Sequence, residues 1–108
     1  MSKPAFVDER HLPGARWAII RTCRVGGHLG ATETMIRDVL VAEYLGVNAS
    51  FIRDQLDYLE KRKLIEIARH EVDPWRATLT RYGYDVADYQ VDCDPGIRRP
   101  PRLDPYRD

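Results

Sequence analysis

The most diagnostic stretch of this 108-residue chain is MIRDVLVAEYLGVNASFIRDQLDYL, at residues 35–59. It predicts two helices joined by a tight turn. Ala42 is small enough to let the two helices approach closely, and Gly46 can adopt the left-handed backbone conformation that ends the first of them. Ile52 then packs the second helix onto the first. The spacing of these three residues is typical of a helix-turn-helix, a shape that fits a helix into the major groove of DNA.

Another helix is predicted before this motif, over residues 15–25, with an earlier start and a bend at Pro13-Gly14 as the alternative. The pair Gly26-Gly27 ends it. Its apolar residues at helical spacing are Trp17, Ile20 and Cys23. The first helix of the motif itself is expected to run from Thr32 to Tyr44 or Leu45. Its predicted buried set is Ile36, Val39, Leu40 and Tyr44.

The helix after the turn is predicted over residues 48–62, with Asn48 as its N-cap. An asparagine side chain can accept a hydrogen bond from the first turn of a helix. Lys63 stands where a glycine usually closes such a helix, at some conformational cost. The inner face of this helix is predicted to carry Ile52, Leu56 and Leu59.

The pattern then changes from that of helices to that of strands. Residues 64–72 and 76–80 are strand-like, and Asp73-Pro74-Trp75 between them has the chemistry of a turn, so a hairpin is predicted. Thr80 can cap a last helix over residues 81–90. The sequence therefore predicts an α+β fold that is mostly α, with three helices, a β-hairpin and a C-terminal helix.

That order of elements is the order of a winged helix-turn-helix, in which the hairpin is the wing. Residues 51–66, FIRDQLDYLEKRKLIE, resemble the recognition helix and first wing strand of bacterial winged-helix regulators. Residues 76–87, RATLTRYGYDVA, and residues 95–100, PGIRRP, are similar to small arsenical-repressor-like proteins of Mu-like prophages. The resemblance implies a DNA-binding regulator of phage type, or a protein of the phage morphogenesis region.

Three segments are predicted: an N-terminal arm at residues 1–14, the winged helix-turn-helix domain at 15–90, and an extended or disordered tail at 91–108. The tail is rich in proline and carries four arginines and four aspartates, so it is neutral. It is interpreted as a solubilising tail, with an arm along DNA phosphates as the alternative.

The chain has 17 basic and 17 acidic residues, so its net charge is zero. This balance argues against a strong DNA binder, because neutralisation of phosphates supplies much of the affinity for DNA. Residues 61–81 hold a local excess, with six basic residues against three acidic ones. The chain contains no apolar run of membrane-spanning length, and its first residues lack the apolar core of a secretion signal. We therefore expect a cytoplasmic protein with no membrane partner.

The sequence contains no motif typical of a metal site, a phosphate-binding site or a catalytic site. Cys23 and Cys93 lie far apart with no CxxC companion, which predicts two reduced thiols. The three histidines show no metal-ligand spacing with them. No phosphate-binding loop or nucleophile motif is present. We therefore expect no metal, no cofactor and no enzyme activity.

The outer face of the predicted recognition helix is the candidate DNA-reading surface. Projection at about 100° per residue places four residues opposite Ile52: Ser50, Asp54, Asp57 and Lys61. Arg53 lies beside them and could form the bidentate contact to guanine. Arg69 and Arg76 on the hairpin are interpreted either as phosphate contacts or as ordinary surface charges. The predicted DNA-binding residues are Asn48, Ser50, Arg53, Asp54, Lys61, Arg69 and Arg76.

An alternative interpretation of the same face stays open. Asp54 and Asp57 would be repelled by phosphates, so the face could instead be solvated, with Asp57 and Lys61 paired at i, i+4. Trp75 after Pro74 is expected to fold back over the hairpin, and stacking on DNA is the alternative.

The last helix presents more apolar surface than so small a core is expected to cover. Tyr82, Val86 and Tyr89 share one side of it, and together with Trp17 they are predicted to form a two-fold dimer interface. Such a homodimer would place two recognition helices about one DNA turn apart.

Two functions follow from these observations. The first is a transcriptional regulator that binds double-stranded DNA as a homodimer, with residues 48–62 in the major groove and the wing, residues 64–80, on the backbone. The second is a winged-helix protein-interaction module, for phage assembly or as an adaptor on a host protein, that does not bind DNA.

Overall fold

Four α-helices and a three-stranded antiparallel sheet make up residues 7–102, the part of the chain that the computed structural model describes. The helices are α1 (Leu12–Gly26), α2 (Glu33–Val41), α3 (Ala49–Lys61) and α4 (Arg81–Ala87). The strands are β1 (Ala31–Thr32), β2 (Ile65–Ala68) and β3 (Arg76–Leu79). Short 3₁₀ turns flank α1 at Glu9–His11 and Gly27–Leu29. The predicted α+β, mostly helical class is confirmed.

Helix α1 begins at Leu12, three residues before the predicted start at Ala15. Pro13 lies in its first turn, where a missing N–H leaves no hydrogen bond unmade. The helix ends at Gly26, and Gly27 follows in the left-handed region with φ 59°. The predicted glycine stop is therefore confirmed.

Helix α2 is shorter than predicted. Thr32 caps it by accepting a hydrogen bond from the Met35 N–H at 3.2 Å, but the helix ends at Val41 instead of Tyr44 or Leu45. Ala42 is exposed, so it does not provide the close helix contact predicted for it. Gly46 does adopt a left-handed φ of 84°, although it lies in the connecting loop, beyond the end of the helix.

The prediction that Val39 is buried is also wrong, since 41% of this residue is exposed. Ile36 and Leu40 are almost fully buried and form the inward row of α2 at i, i+4. Val39 lies one position away from that row and faces a groove between α1 and α2.

Helix α3 follows its prediction closely. The Asn48 carboxamide oxygen accepts a hydrogen bond from the Phe51 N–H at 2.8 Å and caps the first turn. Lys63 has a left-handed φ of 64°, the conformation in which a glycine commonly closes a helix. The predicted inner face is confirmed, with at most 1% exposure at Ile52, Leu56 and Leu59.

The sheet has the strand order β1–β3–β2, with β3 in the centre. The hairpin pairs Ile65 with Leu79 and Ala68 with Arg76, so its strands are shorter than the predicted 64–72 and 76–80. Strand β1 has only two residues, too few to show a period in the sequence. Residues 69–75 form the loop of the hairpin.

Helix α4 also ends earlier than predicted, at Ala87 instead of Gln90, and Tyr89 follows with a left-handed φ of 61°. Thr80 caps the helix by accepting a hydrogen bond from the Gly83 N–H at 3.0 Å. This cap agrees with the prediction.

Residues 91–102 contain neither a helix nor a strand, yet they lie against the domain. Ile97 is 5% exposed and belongs to the hydrophobic core. Arg99 donates hydrogen bonds to the carbonyls of Val86 and Val91, at 2.9 and 2.8 Å. The predicted boundary after residue 90 thus leaves out a segment that contributes to the core. Residues 1–6 and 103–108 of the predicted arm and tail lie outside the described residues.

The core lies between α1, α3 and the sheet, and α2, α4 and Ile97 close its edges. Cys23 is fully buried there, and burial raises the pKa of its thiol to about 12. Cys93 is a second free thiol and is partly exposed. In residues 7–102 we find no helix with the length and apolarity needed to span a membrane.

Candidate functional site

Charged and aromatic side chains join α2, α3 and the hairpin on one face of the domain. Four of them form what we term the Trp75 cluster: Glu33, Arg53, Arg69 and Trp75. Glu33 lies in the first turn of α2, and Arg53 lies in the second turn of α3. Arg69 follows β2, and Trp75 immediately precedes β3.

Glu33 is the centre of the cluster and only 7% exposed. Its carboxylate accepts two hydrogen bonds from Arg53, with Nε at 2.8 Å and Nη2 at 3.0 Å. It also accepts the backbone N–H of Trp75 at 2.6 Å, while the Glu33 N–H donates to the Trp75 carbonyl at 2.9 Å. The Arg53 hydrogen bonds, and secondarily that of Trp75, lower the pKa of Glu33. The ionised carboxylate therefore ties the hairpin loop to both helices.

Trp75 folds back against the domain, as predicted. The guanidinium carbon of Arg53 lies 4.2 Å from the centre of its ring system, and that of Arg69 lies 4.9 Å away. Both distances are in the range of cation–π interactions, for which tryptophan is the best aromatic partner. The ring is thus engaged by two arginines of its own chain.

Arg69 binds two carboxylates of α3. It donates to both Glu60 carboxylate oxygens, at 2.9 and 3.0 Å, and to Asp57 at 2.7 Å. The hydrogen bonds from Arg69 lower the pKa of Glu60. Asp57 therefore pairs with Arg69, so the i, i+4 pair with Lys61 in the alternative interpretation does not form.

The remaining predicted DNA-binding residues fall into two groups. Arg76 donates to the carbonyl of Leu29 at 2.7 Å, and Asn48 serves as the cap of α3. Ser50, Asp54 and Lys61 are exposed on the outer side of α3. Asp54 and Lys61 form no ion pair with any residue from 7 to 102.

A cleft of about 320 Å³ lies beside the cluster, between α2, the start of α3 and the hairpin loop. Its ionisable lining is two arginines, Arg37 and Arg53, and four acidic residues, Glu33, Asp38, Glu71 and Asp73. The acidic groups outnumber the basic ones by two. This cleft is therefore electrostatically unfavourable for a phosphate backbone.

The structure places the four residues predicted for a dimer interface within one domain. Val86 is fully buried, Trp17 is 8% exposed, and the rings of Trp17 and Tyr89 meet edge to face at 6.0 Å. The hydroxyl of Tyr82 donates to Asp94 at 3.1 Å, and that of Tyr89 donates to the Pro100 carbonyl at 2.7 Å. Two of the four residues, Tyr82 and Tyr89, are therefore hydrogen-bonded to the C-terminal segment.

Sequence reasoning assigned no role to Glu33. The only local signal at Glu33 is that it is an acidic side chain in the first turn of a helix. Such residues are common there because their negative charge interacts favourably with the positive end of the helix dipole. Its partners Arg53 and Trp75 are 20 and 42 residues away, so the pairing requires the fold.

No family model, curated protein or solved structure matches this chain. Within residues 7–102, no three His, Cys, Asp or Glu side chains come together in a way that could hold a metal ion.

Proposed function

We propose that the chain is a winged helix-turn-helix protein that acts as a protein-interaction module. Helices α2 and α3 correspond to the helix-turn-helix, and the β2–β3 hairpin corresponds to the wing. The element order supports this assignment, as does the contact of the hairpin loop with α3 through Arg69.

The observation that carries the proposal is the engagement of the arginines that would bind DNA. Arg53, Arg69 and Arg76 all donate to acceptors of their own chain. DNA binding would require these cations to neutralise phosphates. If Arg53 moved away, the nearly buried Glu33 carboxylate would lose its charged partner, which is costly.

The chemistry of the partner follows from the surface that remains accessible. Asp54 is exposed on α3, and Glu71 and Asp73 line the hairpin-loop side of the adjacent cleft. A protein surface with basic side chains complements this charge distribution and would be guided to the site by it.

A DNA-binding regulator is the second candidate, and the exposure of α3 favours it. Ser50 and Lys61 face solvent, and 44% of the Arg53 side chain is exposed despite its pairing. In this alternative, residues 48–62 would enter the major groove and residues 64–80 would contact the backbone.

Titration with mixed genomic DNA fragments distinguishes the two candidates. At about 50 mM and about 200 mM salt, the protein-interaction module is expected to retain no DNA. Retention at the lower concentration that falls steeply at the higher one would overturn the proposal. In that event Arg53→Ala should weaken specific binding by about 1–3 kcal/mol.

Affinity purification tests the interaction directly. The tagged full chain, expressed in its native cells, is expected to retain a specific protein partner, and Asp54→Lys should release it. Asp92→Lys is the matched control, because Asp92 is exposed in the C-terminal segment. Equal loss with both variants, or no partner with the unaltered chain, would contradict the proposal.

A further inference from the structure

Helices α1 and α2 leave an open groove of about 790 Å³ between them, which adjoins the cleft beside the Trp75 cluster at Asp38. Ala18 and Thr22 of α1 are small and leave room for side chains from another helix. Exposed apolar side chains border the groove, with Val25 at 84%, Met35 at 45% and Val39 at 41%. Exposed apolar residues that form one patch are a common feature of surfaces that bind another protein.

The two walls of the groove carry opposite charges. Arg21 projects from α1, whereas Asp38 lies on α2 and Glu43 lies just after it. None of these three residues forms an ion pair with another residue of the 7–102 segment. Each wall therefore presents an unpaired charge that a partner of the opposite sign could satisfy.

The positions of the residues along the groove are ordered. Gly14, near the start of α1, lies beside the Tyr44 hydroxyl that follows α2. Val25 near the end of α1 and Met35 near the start of α2 therefore border the other end. Arg21 and Asp38 lie between these ends, one on each wall.

We propose that this groove is the interface of a homodimer, in which a second copy of the chain covers it around a two-fold axis parallel to the groove. That axis places α1 of one copy against α2 of the other. Arg21 then faces Asp38 of the partner subunit, and Val25 faces Met35 of the partner subunit, each contact occurring twice. Four helices, two from each copy, enclose the apolar side chains.

The opposite charges of the two groove walls favour a second copy of the chain as the partner, and they favour a two-fold axis parallel to the groove. A single helix of uniform charge would satisfy one wall and be repelled by the other. A two-fold axis across the groove would bring Arg21 against Arg21 of the partner subunit, which is unfavourable. Only the parallel axis matches opposite charges and apolar side chains together. This interface shares Trp17 with the one predicted from the sequence but not the α4 residues. It holds whichever macromolecule α3 contacts.

Charge reversal with compensation is the decisive experiment. Sedimentation velocity of the full chain is expected to show a dimer. Arg21→Asp and Asp38→Arg should each raise the dissociation constant about tenfold or more, because like charges then face each other. The double variant should restore the dimer. Arg81→Asp is the control, since it makes the same change of charge on an exposed position of α4.

A second pair of variants tests the apolar part of the same interface, with the added charge matched in the control. Val25→Asp should dissociate the dimer, whereas Val72→Asp, at a 94% exposed position in the hairpin loop, should leave it intact. A monomer for the unaltered chain at all concentrations would overturn the inference. So would a dimer whose dissociation constant changes no more with Arg21→Asp and Val25→Asp than with their controls. Neither outcome affects the DNA titration, which tests the proposed function separately.

Discussion

At the scale of single residues, Glu33 connects three elements through one carboxylate. Removing it leaves Arg53 without its bidentate acceptor and the Trp75 N–H without a partner. We expect Glu33→Ala to lower the free energy of unfolding by about 1–3 kcal/mol, measured by urea denaturation. Glu71→Ala is the control, because Glu71 is exposed and forms no ion pair with the described residues. If the two substitutions lowered the free energy of unfolding equally, the contacts of Glu33 would not stabilise the fold.

The same carboxylate predicts a pH dependence of stability. Arginine hydrogen bonds lower the pKa of Glu33 and Glu60 below the usual value of 4.5. Their contribution to stability is therefore fully present above that value, and it is lost as pH falls through the lower folded-state values. The difference in unfolding free energy between the unaltered chain and Glu33→Gln/Glu60→Gln should shrink from about pH 6 to about pH 3. A difference that is independent of pH would argue against ionised partners.

These residues also show how far the sequence could predict the site. Arg53, Arg69 and Trp75 were identifiable because arginine and tryptophan on a helix face or hairpin loop commonly form contacts. The groups that accept hydrogen bonds from these arginines could not be identified from the sequence, because an arginine bonds equally well to a phosphate and to a carboxylate. Only the fold brings Asp57 and Glu60 to Arg69.

At the scale of elements, α3 was predictable because its cap and its inner face are both local signals. The end of α2 was not, since no cap residue lies near Val41 and the loop to Gly46 has no distinctive pattern. Strand β1 depends entirely on pairing with β3, at Ala31 with Ala77 and Thr32 with Arg76.

Gly30 is the residue that allows β1 to approach the sheet. It has a left-handed φ of 66°, and a Cβ at this position would collide with the carbonyl oxygen of Ala77. Gly27 has a similar φ of 59°, but a Cβ there would meet no atom within 4 Å. Gly27→Ala should therefore lower the free energy of unfolding only through backbone strain, by about 1 kcal/mol.

We expect Gly30→Ala to destabilise the protein by at least about 1 kcal/mol more than Gly27→Ala, because backbone cannot yield as a flexible side chain can. Urea denaturation of both variants gives the comparison. Hydrogen exchange at the Ala77 and Thr78 amides would locate the effect in the sheet. Equal stability of the two variants would mean that β1 can separate from β3 without cost.

At the scale of the whole molecule, the C-terminal segment determines where the domain ends. Composition predicted a tail after residue 90, because prolines and alternating charges dominate there. The apolar residues of that segment, Ile97 among them, are too widely scattered to give a periodic signal. The contacts of Tyr82 and Tyr89 with Asp94 and Pro100 nevertheless cover α4 from within the chain.

Substitution of Ile97 tests whether this segment stabilises the domain. Ile97 is 5% exposed in the core, so Ile97→Ala should lower the free energy of unfolding by about 2–4 kcal/mol through lost burial and an unfilled cavity. Val91→Ala, which removes a more exposed side chain from the same segment, should cost less than about 1 kcal/mol. Urea denaturation followed by tryptophan fluorescence measures both, since Trp17 lies in α1 and Trp75 lies in the hairpin loop. If Ile97→Ala were as mild as Val91→Ala, the segment would be a peripheral tail, and the surface of α4 would again be open to a partner.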